Sequence, residues 1–175
     1  MESFAKILET PQKPVLVIMG GAKVKDKITL INNLLEKLIL NKCRVDRMII
    51  TGGMAFTFLK AMNTMNIGKS ICDEEGLKIV GDLIKKAKER NVEICFPEDF
   101  VIAREIKDNT ETRVVTSQEG IPNDWLGIDT GPLTQNRFGQ IISSSKTIFL
   151  NGAAGVFECN VAKSGSIGLI NVITY

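Results

Sequence analysis

The segment Gly20-Gly21-Ala22-Lys23-Val24-Lys25-Asp26-Lys27 places three lysines on a turn that leads out of an apolar run. Glycine lets a ligand approach the main chain, a helix N-terminus presents free N–H groups, and lysine adds full positive charge, a combination that suits phosphate. The segment matches neither the Walker pattern, which requires GK[ST], nor GxGxxG, so it is neither a Walker loop nor a dinucleotide fingerprint. A tight turn followed by a solvated lysine face is the plainer alternative. Gly52-Gly53-Met54-Ala55 could give an adenine ring a flat main-chain surface with a methionine beside it, or be an ordinary strand-to-helix turn. In Asn151-Gly152-Ala153-Ala154-Gly155-Val156-Phe157-Glu158, the amide could hold phosphate and the acid could hold ribose hydroxyls. Equally, Asn151 ends a strand and Glu158 favours a helix start. Asp129, between Gly127 and Gly131, is either a ligand or a turn former.

The elements that must position these residues alternate along the chain. A short helix is expected at Ser3 to Leu8. The run Val15-Leu-Val-Ile-Met19 is apolar without alternation, as in a strand buried on both faces of a parallel sheet. An amphipathic run from Asp26 to Leu40 follows, with Ile28, Ile31, Leu34, Leu35 and Leu38 at helical spacing. The unit repeats as a strand over Arg47 to Thr51 and a helix through Leu59. Asp73 can cap a long helix with Glu74 and Glu75 at its start and Lys85, Lys86 and Lys88 towards its end. Val92 to Phe96 forms a third strand. Short β-branched runs from Asp99 to Ser117 suggest antiparallel hairpins beside the main sheet. Leu126 to Asp129 is a short strand before a helix starting at Gly131-Pro132, and Lys146 to Leu150 is the last strand. This order predicts an α/β fold: a three-layer, Rossmann-like parallel sheet with helices on both faces and a small antiparallel hairpin insertion. Ligands of such sheets lie at the carboxyl ends of the strands, where all four glycine junctions fall on this reading.

The 175 residues suffice for one domain with one sizeable core, and 44% hydrophobic with 24% charged residues is ordinary for a soluble globular chain. The formal charge of +2 has both signs interspersed, which argues against nucleic-acid binding. Cys43, Cys72, Cys95 and Cys159 are too widely spaced for a zinc ribbon, and there is no histidine to complete a mixed site. They read as small buried hydrophobes in a reducing compartment. No secretory h-region and no membrane-length apolar stretch is present, so a cytoplasmic location is the default expectation.

Five ordered motifs resemble the C-terminal domain of phosphoglycerate kinase: Gly20 to Ile28, Gly52 to Leu59, Pro97 to Phe100, Gly127 to Pro132 and Asn151 to Glu158. The resemblance runs from about Phe4 to Lys163. It implies that Gly21, Ala22, Gly52, Gly53, Gly127 and Ile128 form an adenine pocket, with Val156 against base and sugar and Glu158 on the ribose hydroxyls. Lys23 and Lys27 match the family lysines on the nucleotide phosphates, with Lys27 nearest the transferring group, and Asn151 matches the phosphate-contacting asparagine. Lys25 occupies a variable position.

The resemblance also implies reversible phosphoryl transfer between 1,3-bisphosphoglycerate and ADP, with ATP or ADP bound together with magnesium. The parent is expected to be monomeric. Leu150 stands where the family usually has tryptophan and Ala153 where it has proline, a change that leaves the loop more backbone freedom. The later Gly-Gly-Gly-Asp loop with its metal-binding aspartate, and the N-terminal domain that holds 3-phosphoglycerate, are expected to lie outside residues 1–175. The sequence therefore reads as a single, incomplete nucleotide-binding domain, inactive alone, with no membrane or nucleic-acid partner. A non-catalytic adenine-nucleotide-binding module is the alternative, and a dehydrogenase a weaker one.

Overall fold

The computed structural model describes residues 11–36 and 45–174. The helix expected at Ser3 to Leu8, the end of the amphipathic run at Leu38 to Leu40, and Cys43 lie outside the described residues. The strands are β1 (Val15–Met19), β2 (Arg47–Ile50), β3 (Glu93–Cys95), β4 (Asp99–Ala103), β5 (Thr112–Thr116), β6 (Leu126–Thr130) and β7 (Thr147–Asn151). The helices are α1 (Ile28–Glu36), α2 (Gly53–Ala61), α3 (Glu74–Glu89), α4 (Pro132–Ser143) and α5 (Ser164–Thr174). A single 3-10 turn over Lys25–Lys27 precedes α1.

Four strands form a parallel sheet in the order β3-β2-β1-β7. The unalternated run of β1 is explained by its position, because every residue from Val15 to Met19 is buried. Val15, Val17 and Met19 join Met48 and Ile50 under α1, α2 and α3, in a core that includes Ile31, Phe58 and Leu83. Leu16 and Ile18 point the other way, with Ile49 and Cys95, onto Phe138 and Ile142 of α4 and Leu169 of α5. Alternate residues of one strand thus feed two cores, which gives the three layers. No helix among the described residues is long and apolar enough to cross a membrane.

The second sheet is antiparallel, in the order β5-β4-β6. Its β4–β5 hairpin pairs Asp99 with Thr116 and Ala103 with Thr112, as the β-branched runs suggest. The strand at Leu126 to Asp129 belongs here: it pairs antiparallel to β4, Phe100 opposite Thr130, and not with the parallel sheet. The Gly127 to Gly131 junction therefore reaches the glycine-lined edge from a neighbouring sheet. Phe100 and Ile102 pack with Phe56, Leu59 and Trp125 in a third core that joins this sheet to α2.

Helix α5 has no counterpart in the sequence-based expectations. Its segment SGSIGLINVIT has two glycines and no charge, so neither propensity nor amphipathic patterning marks it. Tertiary contacts supply what propensity lacks, chiefly Leu169 against α4 and the Gly165 N–H donating to the buried carboxylate of Asp129 at 2.8 Å. Of the three described cysteines, all free, only Cys95 is buried, whereas Cys72 and Cys159 are half-buried. Burial pushes the Cys95 thiol up to about 11, which makes it an inert core residue.

Candidate active site

The glycine junctions meet at one cleft of about 370 Å³. Gly21 and Ala22, after β1, and Gly52 and Gly53, after β2, line one side of it. Gly127 and Ile128 of β6 face them, and Val156 and Glu158, beyond β7, close the rim. Eight of the eleven residues expected at a site thus line a single space. It is largely apolar between these main-chain surfaces, with Phe56, Ile71 and Ile106 adding side-chain area.

Close main-chain packing builds this edge. The Gly20 N–H donates to the Asn151 carbonyl at 2.8 Å and the Gly21 N–H to the Ala153 carbonyl at 3.1 Å. Gly52 has φ +67°, and a Cβ there would lie 2.7 Å from the Ala153 carbonyl oxygen, so only glycine fits. Gly127 is required for a different reason: a Cβ there would stand 2.2 Å from the Phe56 ring. Phe56 is therefore the aromatic floor beneath the β6 wall. Met54, expected beside a bound base, is fully buried among the residues under α1 and α3 instead. Two residues on in α2, Phe56 takes the position on the cleft, because helix phase turns Met54 inward.

Lys27, Asn151 and Lys23 lie beyond the cleft lining. The Lys27 ammonium donates to Asn151 Oδ1, which joins the lysine turn to the end of β7. Lys23, exposed on the same turn, acts electrostatically on Asp73 at the start of α3 and helps to hold that carboxyl below its ordinary range. Lys25 pairs with Glu75 of α3, which raises the lysine above its ordinary value. One end of the site is thus apolar and main-chain, and its neighbouring end is cationic.

Two buried carboxylates support this arrangement. Asp129 is 3% exposed; its Oδ1 accepts the Thr130 N–H and its Oδ2 the Gly165 N–H, each at 2.8 Å. Burial pushes its carboxyl above the ordinary range, against the opposing effect of these N–H groups. Asp129 ties β6 to the N-terminus of α5 and also lines the cleft. A Cβ at Gly155 would lie 2.4 Å from its Oδ1, so the loop after β7 is pressed onto it. Asp99, of the Pro97 to Phe100 motif, is fully buried and accepts the Leu133 and Thr134 N–H groups at 3.0 and 2.8 Å. Among the described residues no group of three His, Cys, Asp or Glu side chains could hold a metal ion.

An apolar cleft at the carboxyl ends of parallel strands, beside a lysine-bearing turn, lies where the ligands of α/β sheets are held, and this defines an α/β protein with one candidate ligand site. The sequence profile of phosphoglycerate kinase matches residues 1–175. The chain belongs to the phosphoglycerate kinase family. It is 50% identical over 173 residues to a phosphoglycerate kinase of Plasmodium falciparum, covering 99% of this chain and 40% of that protein. It is 47% identical over 170 residues to phosphoglycerate kinase 1 of Homo sapiens, covering 97% of this chain and 39% of that protein. The chain thus spans about 40% of the length of these curated relatives. The solved structure of phosphoglycerate kinase from Coxiella burnetii aligns with TM-score 0.89 and 35% identity over 98% of this chain and 42% of that one.

Proposed function

We propose that residues 1–175 are the nucleotide-binding part of a phosphoglycerate kinase, a single incomplete domain that binds ADP or ATP. The parent enzyme, monomeric and cytoplasmic, transfers a phosphoryl group reversibly between 1,3-bisphosphoglycerate and ADP in glycolysis. The observation that carries this reading is the convergence of eight expected site residues on one cleft, with Lys27 and Asn151 joined at its edge. The cleft's glycine surfaces and Phe56 suit a planar base, and Val156 and Glu158 at the rim suit the sugar, with Glu158 accepting from ribose hydroxyls.

Phosphoryl transfer asks little covalent chemistry of a protein; it asks for positioning and neutralisation of charge. Lys23 and Lys27 supply the positive charge. Lys27 is held by Asn151, which aims its ammonium beside the site. The aspartate that would hold the magnesium belongs, on this reading, to a part of the parent outside this chain. 3-Phosphoglycerate would likewise bind to the parent's other domain. The chain then has one of two reactant sites, and the gain from holding two reactants together, worth up to ~7–11 kcal/mol, cannot be realised.

Thermal unfolding and a coupled assay test this. ADP or ATP should raise the melting temperature of the purified chain and NAD should not, by preferential binding to the folded state. ATP with 3-phosphoglycerate should give no turnover. Equal stabilisation by NAD would overturn the nucleotide assignment, and turnover in the ordinary kinase range of ~1–100 s⁻¹ would overturn the division of the site.

A further inference from the structure

Asp73 stands at the N-cap of α3, with its main chain extended at φ −92° and ψ 100°. A carboxylate there ordinarily serves its own helix. This one makes no side-chain capping hydrogen bond to α3, although the sequence predicts one, and serves another element instead: Oδ2 accepts the main-chain N–H of Lys25 at 2.8 Å, across 48 residues of sequence. The Lys25 N–H does most to hold the carboxyl below its ordinary range, opposed by burial and aided by the Gly76 and Glu75 N–H groups of the helix's first turn.

Asp73 is itself fixed. Its N–H donates to Oγ1 of Thr57 at 3.0 Å, and Thr57 is fully buried in α2. On the far side Val24, also fully buried, packs so closely against the start of α3 that a Cβ at Gly76 would lie 2.9 Å from both Val24 Cβ and Asp73 Oδ2. Lys25 is the centre of the lysine triplet, and its own side chain is drawn away to Glu75. Both partners of that ion pair are more than half exposed, so the pair adds little, and the main-chain hydrogen bond is the firmer anchor.

We propose that Asp73 is a positioning residue for the nucleotide phosphates: by fixing the main chain at Lys25 it sets where Lys23 and Lys27 present their ammonium groups. This rests on the nucleotide reading above. Asp73 lies outside the cleft lining, and its carboxylate is bonded to the lysine turn, so its effect falls on the phosphate end. Removing it loosens the turn by one charge-assisted hydrogen bond, the kind that contributes most among hydrogen bonds.

The test compares ADP with adenosine, which lacks phosphate, by calorimetry on the whole chain, alongside amide hydrogen exchange at Lys25. Asp73→Ala should speed exchange of the Lys25 amide and weaken ADP binding about tenfold while leaving adenosine affinity unchanged. Asp73→Asn keeps an acceptor oxygen and should recover most of the ADP affinity. Equal losses for ADP and adenosine, or no loss for ADP, overturns the proposal and leaves the nucleotide reading standing. If Asp73→Ala fails to fold, Asp73→Asn decides alone, through a smaller loss that is again confined to ADP; an equal loss for both ligands, or none, overturns the proposal. A wild-type chain that binds neither ligand overturns the nucleotide reading and this inference with it.

Discussion

Asp129 has two carboxylate oxygens and a separate main-chain donor for each. An isosteric amide cannot serve both, because its NH₂ would face one of the two N–H groups. Asp129→Asn should therefore lose about 1–3 kcal/mol of stability, measured by chemical denaturation, although it removes a buried charge. The pH dependence follows from the raised carboxyl. Between the ordinary value of 3.8 and its raised value in the folded chain, the folded state binds more protons than the unfolded one. Stability from this group therefore rises as pH falls into that window and is lost as pH rises out of it. Wild type should show this gain and Asp129→Asn should not. Thr51 is the opposite case: fully buried just after β2, its hydroxyl has no hydrogen-bond partner among the described residues. Thr51→Val keeps the shape and removes the orphan, so the denaturation midpoint should rise, by ~1 kcal/mol of stability.

Helix α4 is held to β4 by a buried hydrogen-bonded joint centred on Asp99 and Thr134, with Arg137 and Glu98 paired beside it. The Thr134 hydroxyl donates to Asp99 Oδ1 at 2.6 Å and accepts the N–H groups of Glu98 and Asp99 at 2.9 and 3.0 Å. Thr134→Val preserves the packing volume but strands these partners, and should cost at least about 2 kcal/mol in thermal or chemical denaturation. Such a joint was not legible beforehand, since its partners are 35 residues apart and each is unremarkable in its own window. What was legible followed from local pattern. The unbroken apolar run of β1 announced burial on both faces, and the acidic start and basic end of α3 marked its limits. Helix α5 is not legible in the sequence because an uncharged, glycine-containing segment has no helical pattern of its own. The five residues of β6 were readable as a strand, but nothing in so short a run says which sheet it joins.

On the scale of the molecule, the site lies where two sheets meet. Its walls come from the turns after β1, β2 and β7 of the parallel sheet and from β6 of the antiparallel one. The convergence was foreseeable from the glycine junctions and the family motifs, whereas Phe56 and Ile71 entered the wall through packing that sequence does not display. A nucleotide seated there must touch both sheets at once. ADP should therefore slow amide exchange around Gly52-Gly53 and around Gly127-Ile128 together, as read by exchange mass spectrometry. Protection confined to one sheet would place the ligand elsewhere.

The scarcity of side chains along the cleft's glycine wall has a consequence for how such a surface can be dissected. Alanine scanning ordinarily deletes atoms and reads the loss of their contacts. At Gly53 it adds one, 2.6 Å from Ile71 Cγ2, and at Gly127 it adds one inside the Phe56 ring contact. The scan is inverted at these positions, reporting how much room the ligand and the wall share and not what either contributes. Recognition that depends on missing atoms leaves few deletions to make, and the informative experiment alters the ligand: trimming the base or the ribose, one group at a time, maps a surface whose own chemistry is mostly main chain.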